Sequence, residues 1–160
     1  GSPGQFSGFD LDAILISARL CNDAACAKGL TGLSVFDFLN GTLFTPGGQR
    51  APTDPKLYGT DAAGTAVDNG VATLGLFDGE SSTVTPFGFV SMGDNGVLSF
   101  NLTSLLSTTG LYLYVGEVGD NGEALAGSFT ISDQRVPEPG ALSLVLAALG
   151  AGALARRRRA

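Results

Sequence analysis

The sequence predicts an all-β protein, an antiparallel β-sandwich or jelly-roll-like body followed by a single C-terminal transmembrane helix. Three observations predict it. The dipeptide Asn-Gly occurs four times, at Asn40-Gly41, Asn69-Gly70, Asn95-Gly96 and Asn121-Gly122, and it tolerates the positive φ angles of type I′ hairpin turns. Short runs rich in β-branched and aromatic residues lie between these turns. Residues 140–155 carry no charge and run directly into Arg156, Arg157, Arg158 and Arg159.

The expected strands, in order, are 9–18, 34–39, 71–77, 87–92, 97–102, 111–118 and 124–132. Alternation is clearest in the fifth, where Leu98, Phe100 and Leu102 share one face opposite Ser99 and Asn101. Aspartate precedes three of the Asn-Gly pairs (Asp68, Asp94 and Asp120), each 26 residues after the last, a spacing that suits successive hairpins of a meander. The flanking sequences differ, so this is no true repeat. Seven strands without helical periodicity indicate a sandwich or jelly roll, and frequent turns account for much of a glycine count of 24. The stretch 45–69 holds Pro46, Pro52 and Pro55 with few large apolar residues. It is expected to be a surface excursion with a short strand or turn around Leu57-Tyr58.

Charge divides the chain. Residues 1–135 hold five basic side chains against fourteen acidic ones, a balance of −9, whereas four of the nine basic residues form the terminal cluster. An acidic body repels nucleic acid and anionic lipid, so no nucleic-acid partner is expected. The absence of histidine removes most general-base and metal chemistry. With only two cysteines as well, zinc sites built on thiolate or imidazole are excluded.

Catalysis would have to rest on carboxylate pairs, and without tryptophan platforms an enzyme is not expected. No cofactor is required. Calcium is the one ion the acids suggest, since hard cations take loop carboxylates and carbonyls. Asp94, Glu117, Asp120 and Glu123 at turn ends are the candidate ligands. Asp10 with Asp12 and Asp78 with Glu80 bracket single residues and would share a face of extended chain. Asp94 and Asp120 have a competing role, bonding the backbone of their own turns. Tyr112 and Tyr114 project from one strand face and are the candidate sugar-stacking platform; the competing role is packing within the sheet.

Cys21 and Cys26 enclose the polar segment Asn22-Asp23-Ala24-Ala25. A bridge here would close a short loop in an oxidising compartment; unpaired thiols or a redox pair are the alternatives, though the spacing is not Cys-x-x-Cys.

The C-terminal end has three parts. Val136-Pro137-Glu138-Pro139 can continue neither strand nor helix and leaves an extended linker. Residues 140–155 are leucine- and alanine-rich and apolar all round. As a helix they would span about 24 Å, slightly under the roughly 30 Å hydrocarbon layer, a deficit that thinning and snorkelling cover. Residues 156–160 form a basic tail that stops transfer and stays cytoplasmic. A buried helix with a solvated basic tail is the competing reading.

Pro137-Glu138-Pro139, the apolar segment and the arginine cluster, in this order and at the terminus, resemble the sorting tail of PEP-CTERM proteins. The resemblance implies export by a Gram-negative bacterium and an inner-membrane-anchored intermediate. It further implies an exosortase as partner, cleavage near the triplet, and association with exopolysaccharide or biofilm matrix at the cell surface. It also implies a signal peptide, whereas residues 1–4 read as a remnant left by its removal or as a tag. The body proper is then 5–135. Within it, Phe89–Phe100 and Leu111–Gly119 resemble the β-domain of bacterial surface proteins with interchangeable anchors. Met92 stands where that domain's turn motif has leucine, and Gly116 separates the hydrophobic run from Glu117.

Overall fold

The computed structural model describes residues 2–38, 42–82 and 84–119. Strands in antiparallel sheets dominate, with few and short helices, so the architecture is all-β. A 3-10 turn at Gly4–Phe6 precedes β1 (Asp10–Ser17), α1 (Ala24–Lys28), β2 (Phe36–Asp37) and β3 (Leu43–Thr45). There follow α2 (Asn69–Ala72), β4 (Val90–Ser91), β5 (Val97–Ser99), β6 (Asn101–Leu102) and β7 (Tyr112–Glu117).

β1 is the central strand of a β4–β1–β7 sheet, while β2 pairs with β6 and β3 with β5. Seven of its eight residues are buried, because β1 is covered on both faces as well as paired on both edges. On β7 the register runs Ser17↔Tyr112, Leu15↔Tyr114 and Ile14↔Val115, then shifts so that Leu11 opposes Glu117. Asp12 and Ala13 together oppose Gly116, a bulge that re-aims the Asp12 carboxylate.

The core gathers Leu11 and Ile14 of β1, Val90 of β4, and Ala72 and Leu74 from α2 and the turn after it. Phe36, Phe44, Leu98, Phe100 and Val115 pack against them. Phe36 and Phe100 meet edge-to-face at 5.1 Å between centroids, a favoured aromatic geometry. A second apolar centre joins Phe6, Tyr58 and Phe89, with Tyr58 and Phe89 centroids 4.6 Å apart.

Several expectations change. The meander is absent among the described residues: no strand pairs with its immediate successor, so the Asp-Asn-Gly units at 68–70 and 94–96 redirect the chain and do not close hairpins. At 68–70 the unit starts a helix where a strand over 71–77 was expected. The Asp68 carboxylate accepts the Gly70 N–H at 3.0 Å and caps α2, which is what aspartate does at a helix N-terminus. Thr73 then ends the turn at φ +42 and sends Leu74 into the core. At 93–96 the turn places Asn95 at φ +65, with Gly96 N–H donating to Gly93 O at 3.3 Å. Of the two central residues only Asn95 has a positive φ, which marks a type II turn, not type I′.

The expected strand 97–102 breaks at Phe100 into β5 and β6, which serve different partners. β3 was not expected, and 34–39 and 87–92 contract to two-residue strands. The excursion 45–69 is exposed over 51–56 but not throughout. Leu57 and Thr60 are buried, because Tyr58 donates its N–H to Gln5 O and accepts from Ser91 N–H, strapping the segment onto β4. Gly4, placed in the remnant, is buried and donates to Arg50 O at 2.8 Å. The expected strand 124–132, the linker 136–139, the apolar segment 140–155 and the basic tail 156–160 lie outside the described residues. Among the described residues no helix is long and apolar enough to cross a membrane.

One close approach tests this packing. Gly8 lies at φ +85, and a Cβ there would overlap the backbone of Gly93. Gly8→Ala should destabilise by about 1–3 kcal/mol from backbone strain and overpacking combined, read from urea denaturation midpoints at unchanged m-value. An unchanged midpoint would show that the two segments are not held in contact.

Candidate functional site

The Cys21–Cys26 disulfide closes a loop whose Cα atoms lie 5.4 Å apart. The polar segment inside it forms a helical turn: Asp23 caps α1 by accepting the Cys26 N–H at 2.7 Å. Tyr114 of β7 anchors this loop to the sheet. Its hydroxyl donates to Arg19 O at 2.8 Å and accepts the Cys21 N–H at 2.7 Å, so the phenol is committed to structure. Tyr112, the other candidate of the sugar platform, is exposed.

Between the anchored loop, β7 and the 77–81 segment lies a cleft of about 470 Å³. Its walls include Asp12, Lys28, Phe77, Glu80, Tyr114 and Glu117. Gly79 and Gly116 keep it open at the base, since a Cβ at Gly79 would run into Val118 and one at Gly116 into the Phe77 ring.

Asp12 is the chemically distinctive wall. It is only 8% exposed, and its Oδ1 accepts the Gly79 N–H at 2.9 Å. Burial pushes its carboxyl up to about 6, and the neighbouring Asp78 carboxylate pushes the same way. The Gly79 and Asp78 amides and the Lys28 ammonium oppose the shift. The cleft therefore holds a carboxyl that changes charge near neutral pH, within a wall where Lys28 supplies the positive charge. Asp10, its companion in β1, is satisfied by the Ser91 hydroxyl at 2.6 Å. Asp78 accepts the Thr73 hydroxyl at 2.7 Å, and Glu80 accepts the Ser82 N–H at 3.2 Å.

The calcium candidates do not converge among the described residues. Glu117 lines the cleft, whereas Asp94 forms a two-pronged ion pair with Arg50, Nη2 to Oδ1 at 2.5 Å and Nε to Oδ2 at 3.0 Å. That pair replaces the turn-bonding role expected of Asp94 and ties the 93–96 turn to the 50 region. Asp120 and Glu123 lie outside the described residues, as do Pro137, Glu138 and Pro139 and the four terminal arginines. Among the described residues no group of three acids, cysteines or histidines could hold a metal ion.

Lys28, Phe77 and Tyr114's anchoring role escape sequence reasoning, because only the tertiary fold brings residues so far apart to one cleft. The Asp-x-Asp pattern in β1 was the usable signal for Asp12. Comparisons with known proteins add no analogue: no family model, curated protein or solved structure matches the chain.

A raised carboxylate pKa has a defined sign. The unfolded chain holds Asp12 near 3.8 and the folded chain near 6, so the folded state binds its proton first. The penalty for the buried charge is present above about pH 6 and vanishes as pH falls towards 4. Asp12→Asn keeps an acceptor for Gly79 and removes the charge. Its Tm should exceed that of the parent at pH 7.5 and converge with it at pH 4. A Tm difference independent of pH would show that Asp12 is not desolvated.

Proposed function

We propose that the chain is a non-enzymatic exported protein of a Gram-negative cell surface or exopolysaccharide matrix, delivered through its C-terminal tail to an exosortase. The observation that carries this reading is the order of three parts at one end: Pro137-Glu138-Pro139, the uncharged 140–155 segment and Arg156 to Arg159. Each part has a separate physical task. The prolines keep the cleavage region extended and accessible; the apolar run partitions into the bilayer; the guanidinium groups hold the far end on the cytoplasmic side. The acidic body is thereby left outside.

Two features of the body support the reading. The Cys21–Cys26 bridge belongs in an oxidising compartment. The apolar cluster places Phe36, Phe44 and Leu98 of the two ribbons, β2–β6 and β3–β5, together with Phe100 between β5 and β6, against Leu11, Ile14 and Val90 of the main sheet. We read this as two layers of a small sandwich, the kind of rigid, loop-bearing module suited to display.

The test is the intact mass of the protein recovered from an exosortase-bearing host. Loss of residues 140–160 is expected, and a variant carrying Pro137→Ala, Glu138→Ala and Pro139→Ala should stay full length and membrane-bound. Full-length protein in both cases would overturn the sorting reading.

The cleft supports a second reading, an adhesion module that takes matrix carbohydrate or calcium. Carbohydrate fits the described residues better, because acids, an ammonium and aromatic rings share the cleft wall, while no three of the described acids are placed to hold one ion. Retention on matrix polysaccharide that Lys28→Ala, a change in the cleft wall, abolishes would favour a sugar. A Tm rise of several degrees in millimolar calcium would favour the ion instead. Neither response is expected of a purely structural matrix component.

A further inference from the structure

An asparagine followed by glycine is open to attack by the glycine amide, because glycine has no Cβ to hinder the approach. The described residues contain two such pairs, and the fold treats them oppositely. Asn69 opens α2 with its Nδ2 donating to Phe38 O at 2.6 Å, and its Oδ1 is buried. The Gly70 N–H is taken by the Asp68 carboxylate at 3.0 Å, a charge-assisted bond. Asn95 is exposed, and no hydrogen bond from a described residue holds its side-chain amide. The Gly96 N–H donates to Gly93 O at 3.3 Å, beyond the ordinary range of about 2.7–3.2 Å. Asn40-Gly41 and Asn121-Gly122 lie outside the described residues.

We propose that Asn95 is a site of spontaneous deamidation to isoaspartate in the folded chain, that Asn69 is guarded against it, and that the change loosens the junction of the 93–96 turn with the 47–50 segment. The Gly96 nitrogen attacks Cγ of Asn95, and the new N–Cγ bond closes a five-membered succinimide. The Cγ–Nδ2 bond breaks, and Nδ2 leaves as ammonia with the proton of the Gly96 amide. Water then opens the ring, giving its hydroxyl to one carbonyl carbon and its proton to the nitrogen. Opening at Cγ leaves aspartate; opening at the main-chain carbonyl leaves isoaspartate, whose backbone runs through Cβ and Cγ. Hydroxide promotes the first step, so the rate rises with pH. No enzyme, metal or oxidant enters the balance.

The turn cannot absorb the added backbone atom. Gly47 donates to Met92 O at 2.9 Å, Gly48 to Asp94 O at 3.0 Å, and Asp94 back to Gly48 O at 2.8 Å. The approach is so close that a Cβ at Gly47 would overlap the backbone of Gly93, Asp94 and Gly96. Asp94 also carries the ion pair to Arg50, and Arg50 in turn accepts the Gly4 N–H at its carbonyl and donates its own N–H to the Ser7 hydroxyl at 2.9 Å. Lengthening the chain at 95 shifts Asp94 against these partners, and the new carboxylate adds negative charge beside the pair. The 47–50 segment and the amino-terminal turn that it holds are therefore released together. The proposal is independent of the sorting reading, since it holds whether or not the tail is cleaved.

Timed incubation of the full chain in mildly alkaline buffer, native and in urea, tests it, with isoaspartate at each position read by peptide mapping. In the native chain the reaction at Asn95 should run about tenfold faster than at Asn69, the factor that one or two net hydrogen bonds carry. In urea the two rates should converge. An intact Asn95, equal native rates, or modification at 69 ahead of 95 would overturn the assignment; a ratio that persists in urea would trace it to local sequence and overturn the role of the fold. The aged parent should melt about 3–6 °C lower, the shift that the same number of bonds produces in a chain of this size. Asn95→Gly keeps a residue suited to positive φ and has no amide to lose, so its Tm should not drift with time. An unchanged Tm in modified parent, or an equal drift in Asn95→Gly, would overturn the loosening.

Discussion

A β-strand whose two edges are paired and whose two faces are covered leaves little water for its polar groups, and β1 is such a strand except where Asp12 borders the cleft. It carries the sheet, because β4 and β7 meet only through it, and it carries the core, because Leu11 and Ile14 are the side chains around which the aromatic residues of the ribbons collect. Yet it contains Asp10 and Asp12, both buried. Each carboxylate must find its donors inside the protein. Asp10 finds the Ser91 hydroxyl across β4, and Asp12 finds the Gly79 amide. The placement of β4 and of the 77–81 segment is thus coupled to two charges in the central strand.

The bulge at Asp12 and Ala13 is what joins architecture to the cleft. Without the extra residue the ladder would run regularly past Gly116, and the Asp12 carboxylate would have a different outlook. With it, Asp12 meets Gly79 at the cleft base, beside Asp78, and its proton affinity rises into the neutral range. The absence of side chains at Gly79 and Gly116 leaves the space. The disulfide loop supplies the other wall and is held there by one phenol, Tyr114. A small domain with a modest core gains most from such cross-links, since each constrains a segment that apolar burial alone would hold weakly.

Local signals were readable to different depths. The long strands were legible: β1 and β7 fall inside 9–18 and 111–118, where apolar residues run longest. The cysteine pair was legible from spacing and intervening polarity. The Asp-Asn-Gly units were legible as turns but not as to kind, since the same three residues can cap a helix, as at 68–70, or form a type II turn, as at 93–96. What decides between them is the destination of the following apolar residues, Ala72 and Leu74 in one case and the β5 pairing in the other. Tyr114 illustrates the same limit for the candidate site: a tyrosine on a strand face suits a sugar platform or a structural anchor equally until Arg19 and Cys21 are brought to it.

Taken alone, the sequence determined that the body is a β protein, that its charge is acidic, and that Pro137-Glu138-Pro139 is followed by an uncharged run and a basic cluster. These are properties of composition and of spacing within a few residues, and they need no partner to be read. Only the tertiary structure decided which strands pair, which carboxylate is desolvated and where a cleft opens. Those outcomes depend on contacts between residues far apart in the chain, such as Asp12 with Gly79, Arg50 with Asp94 and Cys21 with Tyr114, and no local pattern records them.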